Sequence, residues 1–310
     1  MTTGVCAGAS TRERNAGPTP EAAAVASVTV VVMTRNRRDN VLATLERLSA
    51  LPEAPPVIVV DNGSDDATAA AVSARFPTVH VLELGRNHGA VARTFGARAA
   101  TTPYVAFADD DSWWEPGSLL AAADVFDRWP QLGLLAAQIL VGPARRLDPV
   151  CQAMAQSPLP VEQGAPGPSV LGFVCCGAVV RRRAYLEVGG FSPVLFFFGE
   201  ETVLAQDLMT AGWQLAYVDE VIARHDPGSV SGPRRGRERL AVRNALLSLW
   251  MRRPARVAVQ QTVRLLAERR GAVAAAGLLD AVRRSPSALG DRKVLPPSVE
   301  RQVRLLERRA

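Results

Sequence analysis

At 310 residues, 48% of them hydrophobic, the chain can form one large α/β domain with an appendage, or two small domains, around a sizeable core. Its longest apolar runs, 28–33 and 132–141, are too short to span a bilayer, and no charged N-terminal segment leads into an apolar one, so neither a membrane span nor a signal peptide is expected. The net charge of +6 is uneven: residues 234–310 carry 19 Lys+Arg against 6 Asp+Glu and residues 1–233 carry 17 against 24, an acidic body with a basic tail suited to an anionic surface.

Residues 1–26 are rich in Ala, Gly, Thr and Pro without periodicity and are expected to be disordered. From residue 27 strands and helices alternate. The β-branched run 28–33 predicts a strand buried on both faces, and 40–51 a helix with Val41, Leu45 and Leu48 on one side. Strands at 57–60, 79–82 and 104–108 alternate with helices at 67–76, 90–100 and 117–129, the last opened by Pro116. This pattern implies a mostly parallel sheet flanked by helices. Residues 142–168 read as a surface excursion, 173–180 as a strand, 201–211 as a helix and 214–218 as a strand ending at Asp219-Glu220. A basic helical extension follows over 233–310, with helices at 240–250 and 263–279 and breaks at Pro254, Pro286 and Pro296-Pro297. The domain expected between is 27–232. Cys6, Cys151, Cys175 and Cys176 fit neither a zinc site nor a disulfide framework, so reduced thiols and a cytoplasmic location are expected.

Open parallel sheets bind ligands at the carboxyl ends of their strands. Four such ends are polar here: Thr34-Arg35-Asn36-Arg37, Asp61-Asn62-Gly63-Ser64-Asp65-Asp66, Gly85-Arg86-Asn87-His88-Gly89 and Asp109-Asp110-Asp111. Each alone is unremarkable as a turn, but together they define one crevice. Three successive carboxylates repel one another unless a cation is near. In an extended segment Asp109 and Asp111 would face one ligand while Asp110 faces away or supports them. Mg²⁺ or Mn²⁺, held by one or two carboxylates and a substrate diphosphate, is the matching cofactor.

The segments VTVVVMTRNR (28–37), VVDNGSDD (59–66), GRNHGAVAR (85–93), YVAFADDDSWWEPGSL (104–119), GGF (189–191) and FGEETVLAQDLMTAGWQLAYVDEVIARHDP (198–227) occur in the order found in glycosyltransferase family 2, which the chain resembles over roughly 27–230. The resemblance implies a GT-A fold and an inverting transfer of sugar from a UDP- or dTDP-linked donor to a glycan, lipid-linked or small-molecule acceptor. It implies that Asp61 binds the pyrimidine with Thr34 and Asn36 beside it, and that Asp109 reaches ribose or metal. Asp111 and His225 would ligate the metal. Asn87, Arg93 and Asp110 complete the set around the nucleotide sugar, with Trp113 and Trp114 either an apolar wall for donor or acceptor sugar or one core and one surface residue. Glu201 stands at the catalytic acid's position, preceded by Glu200. Two departures matter: the pair at 200–201 is Glu-Glu where relatives carry Glu-Asp, so either carboxylate could be the base, and Thr94 stands where relatives often carry Asn.

In such a transfer the acceptor hydroxyl needs a general base, and the departing diphosphate needs its growing charge offset. The absence of glycine from 34–39 argues against a nicotinamide enzyme. The alternatives are a non-catalytic relative that only binds sugar nucleotide or glycan and, behind it because no Gly-rich basic loop is present, a nucleotidyltransferase. In the tail, Trp250 beside Arg252-Arg253 suits peripheral contact with the inner face of a membrane, or else the helices pack on the main domain. No nucleic-acid-binding fold is visible.

Overall fold

The structure, a computed structural model, describes residues 27–228, 234–269 and 271–308. The segment 1–26, with Cys6, and the junction at 232–233 lie outside the described residues. Described in chain order are β1 (Val28–Thr34), α1 (Arg38–Ser49), β2 (Val57–Asp61), α2 (Thr68–Arg75), β3 (His80–Glu83), α3 (Ala92–Ala99), β4 (Tyr104–Asp109), β5 (Ser112–Trp114), α4 (Ser118–Arg128), β6 (Leu132–Val141), β7 (Arg146–Leu147) and α5 (Pro149–Ala155). There follow β8 (Ala178–Arg181), α6 (Arg182–Glu187), α7 (Glu200–Thr210), β9 (Gln214–His225), α8 (Arg234–Arg252), α9 (Ala255–Glu268), α10 (Ala272–Gly290) and α11 (Pro297–Glu307).

The strands form one sheet in the order β3-β2-β1-β4-β8-β6-β9-β5, with β7 on β6. The first four are parallel, and every residue of β1 is buried, as its β-branched sequence requires. Their register aligns the chemistry: Thr34 pairs with Asp61, and Met33 with Asp109, so the polar ends of β1, β2 and β4 lie level at one edge. Helix α3 lies close on this sheet at Gly96, where a Cβ would come within 2.4 Å of Val31. The expectation of a mostly parallel sheet flanked by helices is met, with β5, β7 and β8 antiparallel to their neighbours.

Several boundaries differ from the sequence reading. The run 132–141, noted only for its apolarity, is the buried strand β6. In place of a strand over 173–180, a 3-10 turn at Cys175–Gly177 precedes β8. Pro116 lies outside α4, because left-handed Gly117 (φ +83°) caps that helix. The excursion 142–168 holds β7 and α5. The strand expected to stop at Asp219-Glu220 instead bulges there: Val218 pairs with Ala137 and Ile222 with Gln138, and β9 runs on to His225. Helix α10 passes through Pro286, with both Pro286 and Val282 one turn earlier exposed, so water can serve the freed carbonyl. The helix expected over 263–279 is split at 269–271 into α9 and α10.

The tail packs on the body. Val194, Leu195 and Val203 share a second core with Val242, Leu246, Leu247 and Met251 of α8 and Ala281 and Ala288 of α10. Arg252, buried, makes paired hydrogen bonds of 2.6 and 2.8 Å to Asp207 of α7, and buried Arg253 pairs with Glu300 and Glu307 of α11. Among the described residues no helix is long and apolar enough to cross a membrane.

Candidate active site

The strand-end loops are laced together by side chains. Asn36, left-handed at φ +53°, accepts from the Asp65 backbone through Oδ1 at 2.9 Å, and its own N–H donates to Ser64 Oγ at 3.0 Å. Asn62 donates to Asn87 Oδ1 and the Gly89 carbonyl and accepts from the His88 backbone at 2.7 Å, while Asn87 Oδ1 also accepts from the Gly89 N–H. Asn87, expected to touch the donor, therefore spends its side-chain oxygen shaping the 85–89 loop. At Gly89, φ +63°, a Cβ would sit 2.1 Å from the Phe196 carbonyl, so only glycine lets these loops meet.

Asp61 is buried at the end of β2. Its Oδ1 accepts from the Ser64 N–H at 2.7 Å, whereas Oδ2 is buried without a partner. A buried carboxylate oxygen left unpaired is costly, and a ligand N–H is the natural complement. Thr34, also buried, donates to Asp110 Oδ2 at 3.1 Å instead of presenting its hydroxyl freely.

Asp109-Asp110-Asp111 is a turn between β4 and β5, closed by the Asp109 N–H donating to Ser112 Oγ at 2.7 Å. The alternation expected of an extended segment therefore fails, and Asp110 does not face away. Asp110 pairs with Arg37 at 2.8 Å; Asp111 also meets Arg37, at 3.1 Å, and its Oδ1 lies 3.5 Å from His225 Nε2. Asp109 turns instead to Arg93, which is 2% exposed. Two guanidinium groups thus offset three carboxylates. Burial lifts the Asp110 carboxyl to about 7, against the pull of Arg37 and with the push of Asp111 and Asp109. The hydrogen bond to Asp111 raises the His225 imidazole above its ordinary value. The β5–β9 register, Ser112 opposite His225, brings that histidine here from 114 residues downstream of Asp111.

Among the described residues no three His, Cys, Asp or Glu side chains gather into a cluster that would hold a metal alone. Asp111 and His225 supply one carboxylate and one imidazole side by side, a donor set that fits Mg²⁺ or Mn²⁺ once diphosphate and water complete the shell. Asp109, engaged with Arg93, stands apart from that pair.

Opposite the aspartates, Phe196 (φ +69°), Phe198 (φ +72°) and Gly199 (φ +83°) turn the chain into α7. Left-handed backbone is a true outlier for phenylalanine, and such strain collects at functional sites. Glu200 and Glu201 form the first turn of α7. Glu200 is 2% exposed, with Oε2 unpaired, and burial, then the neighbouring Glu201, raises its carboxyl to about 7. Glu201 is half-buried, and burial raises it also. Arg93, whose buried Nε and Nη1 have no hydrogen-bond partner, pairs with Asp109, and its charge pulls against the upward shift of both Glu200 and Glu201.

The tryptophan wall is corrected. Trp114 is wholly buried in the core, and Trp113 is covered by Arg47, 3.6 Å from its ring centre, with Arg224 also beside it at 5.6 Å. The sequence reading passed over Arg37, although it stands at the end of β1 facing the aspartates. It also passed over Asn244, on α8, which donates to the carbonyls of Leu195, Phe197 and Phe198 at 3.1, 2.6 and 2.6 Å. No local signal marks Asn244, since its partners are remote in sequence.

A mixed sheet with its polar strand ends level, an unpaired aspartate at the second, an acidic turn at the fourth and a Glu pair opposite define a GT-A nucleotide-sugar glycosyltransferase. The chain belongs to glycosyltransferase family 2, whose model matches residues 29–189. It is similar to N-acetylglucosaminyl-diphospho-decaprenol L-rhamnosyltransferase of Mycobacterium tuberculosis, 30% identical over 241 residues, covering 66% of this chain and 77% of the relative. It is similar also to pre-mycofactocin glycosyltransferase of the same organism, 32% identical over 214 residues, 64% of this chain and 42% of that protein. The fold matches the mannosyltransferase PcManGT of Pyrobaculum calidifontis, solved with GDP-Man and Mn²⁺ (TM-score 0.56, 16% identity, 91% of this chain and 86% of that one). It matches equally S. aureus TarS 1–349 with UDP-GlcNAc (TM-score 0.56, 16% identity, 84% and 73%).

Proposed function

We propose that the enzyme inverts configuration as it moves a sugar from a pyrimidine nucleoside diphosphate to a hydroxyl of a lipid-linked glycan. The reading is supported by the placement of Arg93: it pairs with Asp109 of the acidic turn, and its charge also acts on Glu200 and Glu201, which favours a donor and an acceptor meeting around one cationic centre. Asp61 Oδ2 takes an N–H of the base. Asp111 and His225 would hold a divalent ion, which would supply positive charge against the leaving diphosphate. Glu201, the more accessible acid, takes the proton of the acceptor hydroxyl; burial raises its carboxyl, which favours that role, and its own charge raises Glu200 beside it.

The lipid-linked acceptor class is supported by the similarity to the decaprenol-linked rhamnosyltransferase. Peripheral contact with a membrane's inner face is supported by Val259 and Val263 of α9 and Leu279, Val282 and Leu289 of α10, all exposed in a tail rich in arginine. Sedimentation with anionic vesicles tests that contact, and recovery in the supernatant at moderate salt would refute it. The transfer itself is tested with a panel of UDP- and dTDP-sugars, reading nucleoside diphosphate release with and without chelator. Release from one preferred donor should require Mn²⁺ or Mg²⁺ and should vanish in Asp111→Ala. Binding of sugar nucleotide without any release would favour the non-catalytic alternative.

A further inference from the structure

Between the catalytic helix α7 and tail helices α8, α9 and α11 lies a cavity of about 610 Å³, within the range of pockets that enclose organic ligands. Its lining includes Phe198 and Gly199, immediately before Glu200 in the chain. Its walls include Leu171, Ala245, Leu249, Leu265, Val303 and Leu306.

Two further observations bear on its occupant. The charged side chains that border it are already matched: Arg253 pairs with Glu307, and Arg264 with Glu268 at 2.7 Å. The lining therefore offers no free charge to a phosphate or carboxylate, and it suits a neutral, apolar group. On the α7 side lies Gln206, 6% exposed, whose Oε1 is buried with no hydrogen-bond partner. A hydrocarbon leaves that oxygen as it stands, neither making nor breaking a hydrogen bond there. The cavity has no counterpart among the strand-end residues that bind the donor, and it exists only because the tail folds back on α7.

We infer that this cavity receives the hydrocarbon chain of the acceptor, so that the tail selects substrates by their apolar carrier while Glu201 acts on the sugar at its head. The inference rests on the lipid-linked reading above and names where the carrier goes. Binding, and not transfer, is the readout that separates the two. Dansyl-labelled farnesol, titrated against the full chain, should bind saturably and be displaced by unlabelled farnesol. Ala245→Phe and Ser248→Phe, which fill the α8 wall, should each weaken binding at least about tenfold, the loss expected when two or more methylenes cannot be buried. Thermal midpoints guard against misfolding, and Gln261→Phe fills the α9 wall should either α8 variant fail to fold. Displacement by hexadecanol as well as farnesol assigns a hydrocarbon chain of either kind; displacement by farnesol alone assigns a branched one. Absence of saturable binding, or binding indifferent to all three fillings, would overturn the proposal. So would a dimer in light scattering that dissociates in the filled variants without any probe bound, since the cavity would then belong to a second copy. Farnesol binding in an enzyme that releases no nucleoside diphosphate would leave the cavity standing and remove the transferase reading.

Discussion

The two halves of the active site are built in opposite ways. The donor half is a set of level strand ends whose polar side chains mostly satisfy one another: Asn36 with the 64–65 turn, Asn62 with the 87–89 loop, Thr34 and Arg37 with the aspartates. The acceptor half holds unpaired buried atoms on Glu200, Arg93 and Gln206, two phenylalanines in left-handed backbone, and a loop held from outside by Asn244 of the tail. The lesson is that the half common to the sheet is preorganised by its own strands, whereas the half that faces the variable substrate is stabilised by an added element and keeps its hydrogen-bonding capacity for the ligand.

This contrast breaks if kinetic defects cross from one half to the other. The largest expected effect is Glu201→Gln, which should lower kcat by about 10²–10⁴-fold, the usual contribution of a general base, with donor KM retained. Glu201→Asp should keep much of the rate. Asp61→Asn should act the other way, raising donor KM by about ten- to a hundredfold, the loss of one charged hydrogen bond, with a smaller effect on kcat. Asn244→Ala sharpens the comparison. It leaves the Phe197 and Phe198 carbonyls short of a donor and should cost about 1–3 kcal/mol in denaturant unfolding. Its kinetic defect should fall on kcat and acceptor KM and spare donor KM; a donor defect would show the loop serves both halves.

The smallest effect is a pH signature. The folded Glu200 carboxyl titrates near 7, above its ordinary value of 4.5, so the folded chain holds that proton more tightly than the unfolded one. Stability from this group is complete below the ordinary value and declines as pH rises toward 7. Glu200→Gln should therefore raise the melting temperature at pH 8 and change it little at pH 4.

The donor half was legible because its signals are local: buried β-branched strands each end in a polar cluster, and parallel register then aligns the clusters. Asp61, Asp111 and His225 were identified in this way, the last through a motif rather than through geometry. What local signals could not convey was direction. Asp109-Asp110-Asp111 was read as extended, and its closure by Ser112 into a turn sends the three carboxylates to different partners. Trp114 looks like Trp113 in sequence, yet strand alternation sends it into the core. The acceptor half was least legible, since Asn244 and Gln206 acquire their surroundings only when α8 returns across α7.

The Asn244 clamp has a consequence for biosynthesis. The glutamates at 200–201 leave the ribosome before the amide that fixes the segment leading into them, and before the arginine at 252 that bolts α7 to α8. A nascent chain that has completed its sheet therefore lacks the clamp on the turn into α7 until the later helices have emerged and docked.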